Sequence, residues 1–202
     1  DWSSDVCSSD LRVELQRVIE ETAGVVVIDE AYADFAADNC LDFARDYPNV
    51  IVARSFSKSF ALAGLRLGWA GGPAPLIAAL HKVKDSYNVN QLAQVAGLAA
   101  LEDQAYLAKT IQAINATRQR VTEKLAGWGF RVYPSQANFV WARPPAGLSA
   151  REWFDGLRAQ NILIRWWDAE RLRECARVSI GTNEEMGRFL NATEGLCEKT
   201  QR

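Results

Sequence analysis

Seven polar side chains in the first third of the chain could act together. The stretch S-F-S-K-S-F-A-L-A-G-L-R, Ser55 to Arg66, sets the hydroxyls of Ser55 and Ser57, a lysine and an arginine just after the apolar run Val50–Ala53. Asp29, Glu30 and Tyr32 follow a second apolar run, Val25–Ile28. Singly, each has an ordinary explanation. A carboxylate at a strand end caps a helix or faces water, a loop lysine is solvated, and an arginine between Leu65 and Leu67 can snorkel. Together they make a different set. Ser55, Ser57 and Arg66 supply hydroxyl donors and a forked cation, which suit a phosphate dianion. The Lys58 amine can condense with an aldehyde. Asp29 can hold a pyridinium N–H by a charge-assisted hydrogen bond.

These groups are useful only if the chain brings them to one place. V-V-V-I-D-E (Val25–Glu30) and N-V-I-V-A-R (Asn49–Arg54) are short β-branched runs of the kind buried on both faces of a parallel sheet, and L-G-W-A-G-G (Leu67–Gly72) is a third, glycine-rich strand. Ligands of such sheets bind beyond the carboxyl ends of the strands. Asp29, Glu30 and Tyr32 lie at that end of the first strand and Ser55, Ser57 and Lys58 at that end of the second. Arg66 opens the third. A ligand with a phosphate, an aldehyde and a pyridine nitrogen is pyridoxal 5′-phosphate. Glu30 is assigned a structural role.

Composition narrows the alternatives. The chain has 202 residues, 49% hydrophobic and 24% charged, with a net charge of −2, which is ordinary globular composition with no electrostatic reason to bind nucleic acid. No apolar run reaches the roughly 18–20 residues of a membrane helix. Cys7, Cys40, Cys175 and Cys197 show no C-x-x-C spacing and His81 is the single histidine, so a reduced, cytoplasmic protein with no metal site is expected. Residues 1–11, D-W-S-S-D-V-C-S-S-D-L, have neither periodicity nor a basic n-region. They are read as a non-native leader resembling translated adapter sequence, and Trp2 and Cys7 carry no functional weight.

Beyond Leu67–Gly72 the pattern predicts helices from Pro73 to about Ser86, over Asn90–Leu101 and over Gln104–Trp128. It then changes to short strands at Phe130–Tyr133, Asn138–Ala142, Ile162–Arg165 and Arg177–Ile180, alternating with helices at Ser149–Ala159 and Asn183–Cys197. Ser149 and Thr182 are candidate N-caps. This half is a smaller α+β unit, with residues 12–112 assigned to the first domain and 113–202 to the second. Arg165 and Arg177 adjoin apolar, β-branched neighbours, which predicts burial and hence an anionic partner. That partner is either an internal acid such as Asp168 or Glu174, or a ligand.

V-I-D-E-A-Y followed by R-S-F-S-K-S-F-A-L-A-G-L-R-L-G-W resembles the core motifs of the fold-type I, class I/II pyridoxal-phosphate-dependent aminotransferases, most nearly their histidinol-phosphate branch. The similarity continues through A-N-F-V-W-A-R, N-I-L-I-R-W-W-D and R-V-S-I-G-T-N-E-E-M, over about residues 12–202. It implies an α/β fold made of the C-terminal part of a large, mostly parallel cofactor domain and a small α+β domain. It implies that Lys58 binds the cofactor and moves protons, that Asp29 pairs with the ring nitrogen, and that Tyr32 bonds the 3′-oxygen. Ser55, Ser57 and Arg66 would hold the phosphate, and Arg165, Arg177 and Asn138 would contact substrate. The implied reaction is transamination between histidinol phosphate and 2-oxoglutarate in histidine biosynthesis, by a homodimer with small-molecule partners. The family's remaining cofactor contacts belong to a first half not found here, so these 202 residues alone are expected to be inactive. An aromatic or broad-specificity aminotransferase, a threonine-phosphate decarboxylase, and an aminotransferase-like sensor domain of a transcriptional regulator remain alternatives.

Overall fold

The structure, a computed structural model, describes residues 8–200. Residues 1–7 of the stretch read as a leader lie outside the described residues. The first helix begins at Ser8, four residues before Arg12. Two compact units divide between Thr110 and Ile111.

The first unit contains α1 (Ser8–Glu21), β1 (Val26–Asp29), the short helix α2 (Phe43–Asp46), β2 (Val50–Ser55), β3 (Gly68–Gly71), α3 (Ala74–Val83) and α4 (Gln91–Glu102). The sheet order is β1-β2-β3. β1 and β2 are parallel, with Asp29 opposite Ala53. β3 runs antiparallel to β2, with Ser55 opposite Gly68. Close approach at this pair needs glycine, since a Cβ on Gly68 would lie 2.8 Å from the Arg54 carbonyl oxygen.

Side chains alternate between the two faces of the sheet. Val26 and Ile28 pack with Val50 and Val52 against Ile19 of α1 and Phe43 of α2. The other face carries Val27, Asp29, Ala53 and Ser55. The expectation that β1 is buried on both faces is therefore corrected: Val25 is 50% and Val27 62% exposed. α1 and α2 cover one side only, and among the described residues of this unit nothing covers the other at those valines. β2 behaves as expected, with Val50, Ile51 and Val52 all buried.

The second unit begins within α5 (Gln104–Gly127) and continues through β4 (Arg131–Tyr133), β5 (Phe139–Arg143), α6 (Ala150–Arg158), β6 (Arg165–Trp166), β7 (Ala176–Ser179) and α7 (Asn183–Thr200). Its sheet has the order β4-β5-β7-β6 and is antiparallel throughout. One face, with Val140, Ala142, Ala176 and Val178, forms a core with Val121 and Leu125 of α5, Trp153 and Leu157 of α6 and Phe189 of α7. Trp153 is fully buried, and its indole N–H donates to Thr193 Oγ1 at 3.1 Å, which removes the cost of burying that donor.

Local chemistry sets the helix ends. Gly129, at φ +83°, closes α5 in a left-handed turn. Ser149 and Glu152 form a reciprocal capping box on α6, and Thr182 and Glu185 do the same on α7. The strand expected at Ile162–Arg165 is only Arg165–Trp166. Asn161 adopts a left-handed φ of 59°, and the Ile162 N–H bonds back to the Leu157 carbonyl. The C-terminal turn of α6 thus uses the residues that would have begun the strand.

Candidate functional site

At the carboxyl end of β2 the first unit assembles the polar set of the sequence. Asp29 and Ser55 share the face turned away from α1 and α2. The Glu30 N–H donates to the Ala53 carbonyl at 2.8 Å, fixing the β1 end beside β2. Ser55 Oγ accepts the Ser57 N–H at 3.0 Å, which leaves the serine's own O–H to donate elsewhere. The Lys58 ammonium lies 5.3 Å from the centre of the Tyr32 ring. Asp29 Oδ1 accepts the Ala31 N–H at 3.0 Å. Arg66 is exposed, and its guanidinium donates to the Ala63 carbonyl at 2.9 Å. Asp29, Lys58 and Arg66 have no ion-pair partner among the described residues.

The antiparallel direction of β3 is what delivers Arg66. It precedes β3, and a third strand parallel to the first two would start at the opposite end of the sheet. Reversal places the start of β3 beside Ser55, at the end that carries Lys58. The intervening loop holds two non-glycine residues at left-handed angles, Ala61 (φ 56°) and Arg66 (φ 53°). Such residues persist where surrounding contacts over-determine them, often at ligand-binding sites. The contacts here are the bonds from Ala61 N–H to the Lys58 carbonyl and from Leu62 N–H to the Phe56 carbonyl.

Glu30 faces the covered side and is nearly buried. Its Oε2 accepts Arg54 Nε at 3.0 Å and Nη2 at 2.8 Å. Arg54 also reaches Asp34 at 3.3 Å, Asp34 accepts the Ser59 hydroxyl, and Glu30 accepts the Cys40 N–H. Burial first, then the Glu30 charge, pushes the Cys40 thiol above its usual range. This network ties the loop after β1 and the loop after β2 to strand β2 itself. Arg54 and Asp34 were not singled out in the sequence, where a charged residue at a strand end gives no sign of its distant partner.

In the second unit Arg165 and Arg177 stand directly opposite each other on β6 and β7. Trp141 is opposite Arg177 on β5, and Tyr133 is opposite Trp141 on β4. One row, Tyr133–Trp141–Arg177–Arg165, thus crosses the face opposite the core. The predicted burial holds in part: Arg177 is half-buried, but Arg165 is exposed, because β6 is the edge strand and Arg165 points away from the core. Neither arginine pairs with an acid among the described residues. Glu174 pairs with Arg143 at 3.1 Å and Asp168 lies 4.0 Å from Arg173. Arg177 instead lies 5.3 Å from the Phe139 ring centre, and its Nε is buried without a hydrogen-bond partner. Asn138 is half-buried just before β5, where its carbonyl accepts the Ile180 N–H at 2.8 Å.

The aminotransferase class I and II family matches residues 5–192. The histidinol-phosphate aminotransferase of Geobacter sp. (strain M21) is 44% identical over 185 residues, 90% of this chain and 53% of its own length. That of Microcystis aeruginosa is 41% identical over 90% of this chain and 52% of its own. The chain thus spans about half the length of the curated relatives it matches. Among solved structures, histidinol-phosphate aminotransferase from Sinorhizobium meliloti in complex with pyridoxal-5′-phosphate superposes with a TM-score of 0.81 at 31% identity, over 91% of this chain and 53% of that one. A decarboxylase from Sulfurospirillum multivorans superposes with a TM-score of 0.81 at 28% identity, over 95% and 57%. The chain belongs to the aminotransferase class I and II family.

Proposed function

We propose that this chain carries the lysine-bearing part of a pyridoxal 5′-phosphate-dependent aminotransferase that acts on histidinol phosphate and 2-oxoglutarate. The observation that carries the proposal is the grouping at one sheet end of an amine, a carboxylate, two hydroxyls and a guanidinium, the three charged ones without ionic partners among the described residues. That donor set fits the cofactor. When bound, the cofactor supplies an aldehyde that takes up an amine and a cationic ring that accepts an electron pair. Asp29 holds the proton on the ring nitrogen, because a neighbouring carboxylate favours the charged form of a base. The Tyr32 hydroxyl bonds the 3′-oxygen. Ser55, Ser57 and Arg66 bind the phosphate. Lys58 would hold the cofactor through its aldehyde and, once an incoming amine has displaced it, would be the free amine that carries a proton to and from the amine-bearing carbon of the substrate. Arg165 and Arg177 bind the substrate's anionic group, and Asn138 is assigned a contact with the substrate.

The curated relatives support histidinol phosphate as the amine. The likeness to the S. multivorans decarboxylase favours a second possibility, decarboxylation, for which threonine phosphate is the candidate substrate already raised by the sequence. A substrate panel on the protein that carries this chain separates them. Amine transfer from histidinol phosphate to 2-oxoglutarate supports the first. Carbon dioxide release from threonine phosphate, with no turnover of histidinol phosphate, replaces it. We further infer a cytoplasmic homodimer, and that residues 1–202 alone lack turnover. Cys40, Cys175 and Cys197 are free thiols, and no helix among the described residues is long and apolar enough to cross a membrane.

A further inference from the structure

We propose that Trp167 is a positioning residue for the Arg165–Arg177 pair: its indole holds the two guanidiniums side by side so that both close on one dianionic group. The proposal rests on assigning anion binding to these arginines. Like charges directly opposite in an antiparallel ladder repel, and the acids nearby in sequence pair with Arg143 and Arg173 instead. Something other than a carboxylate keeps Arg165 and Arg177 together. The Trp167 ring centre is 5.0 Å from the Arg165 guanidinium carbon and 5.6 Å from that of Arg177. Both distances lie within the roughly 6 Å range of a cation–π contact, and tryptophan is the strongest such partner. The Trp141 ring centre lies 5.8 Å from that of Trp167.

The adjacent tryptophans divide the work by strand alternation. Trp166 packs against the core, stacks near Phe154 and donates to the Arg173 carbonyl at 2.8 Å. Trp167 turns to the opposite side, where the arginines are. A guanidinium lying against a ring uses its flat face, so its N–H edges stay free for a phosphate oxygen. The Arg177 Nε is buried and has no hydrogen-bond partner, so this guanidinium is not held by a hydrogen bond at that nitrogen.

The test titrates inorganic phosphate, with acetate as the monoanion control, by calorimetry into the pyridoxal phosphate-loaded protein that carries this chain, so that the set Ser55, Ser57 and Arg66 is already filled. Wild type is compared with Trp167→Phe, Trp167→Leu and Arg165→Gln/Arg177→Gln. Phosphate is expected to bind wild type in preference to acetate and to bind W167F slightly less well. It should bind W167L roughly tenfold more weakly, as two cation–π contacts are lost, and the double arginine variant not at all. Adding W167L to the double variant should change nothing further. Should W167L fail to fold, proton NMR of the wild type decides: the arginine side-chain N–H signals should be displaced by the indole ring current. Folded W167L with wild-type affinity, or undisplaced signals, overturns the positioning role. Wild type that fails to bind phosphate overturns the anion site itself, and the positioning role with it.

Discussion

The Lys58 region and the Arg165–Arg177 row are built in opposite ways. In the first unit the polar groups sit on loops and strand ends, and a buried charge network beneath them is internally satisfied. Arg54 is matched by Glu30 and Asp34, with side-chain exposures of 16%, 7% and 21%. In the second unit the charges sit inside the strands, on a sheet face, and are matched by aromatic rings rather than acids. Balanced charge holds a backbone in place. Unbalanced charge beside aromatic walls is what an incoming anion can use. The same residue type, arginine, is scaffold at position 54 and, in the function proposed above, an anion-binding group at 177.

Four substitutions sharpen that contrast. The largest effect is expected for Lys58→Ala in the protein carrying this chain. Turnover should fall by roughly a thousandfold or more, since both the amine and the proton carrier are lost, while chemical denaturation stays near wild type. Glu30→Ala should do the reverse of this in kind. It leaves Arg54 buried beside an empty position and should cost about 3 kcal/mol in urea unfolding, with any loss of activity following the loss of fold. Arg177→Gln should raise the KM for a phosphate-bearing amine roughly thirtyfold, the loss of about 2 kcal/mol from a charge-assisted pair, and leave stability nearly unchanged. If Arg177→Gln instead destabilises as much as Glu30→Ala, the distinction between scaffold and ligand-facing arginine fails.

The smallest effect concerns pH. Hydrogen bonds from the Ser149 side chain and backbone hold the Glu152 carboxyl below its usual range, and the Thr182 backbone and side chain do the same for Glu185. A lowered folded-state pKa adds stability above the ordinary glutamate value, and that stability is lost as pH falls through the folded value. Ser149→Ala should therefore narrow the difference in melting temperature between neutral and acidic solution. An unchanged difference would remove the capping box from the pH response.

The sequence made the first unit's site legible because strand ends are marked by composition: β-branched runs stop, and the next polar residues fall where ligands bind. It did not show that β3 reverses, because Leu67–Gly72 has no feature that encodes direction. Convergence of Arg66 with Lys58 depends on that reversal. The second site was only half legible. Arg165 and Arg177 stood out by their apolar neighbours, but their opposition comes from the β6–β7 register, which pairs residues twelve apart and has no local signature. The shortening of β6 came from competition by the end of α6 for Ile162, and the exposure of Val27 from one-sided helix cover.

The central claim is that Lys58, among six lysines (58, 82, 84, 109, 124 and 199), is the one that condenses with the cofactor aldehyde. Borohydride reduction of the pyridoxal phosphate-loaded protein, followed by peptide mass mapping, tests it directly. The account predicts a phosphopyridoxyl adduct on Lys58 in the peptide containing S-F-S-K-S-F, lost in Lys58→Ala. An adduct spread over the other lysines, or persisting at full yield in Lys58→Ala, would contradict it.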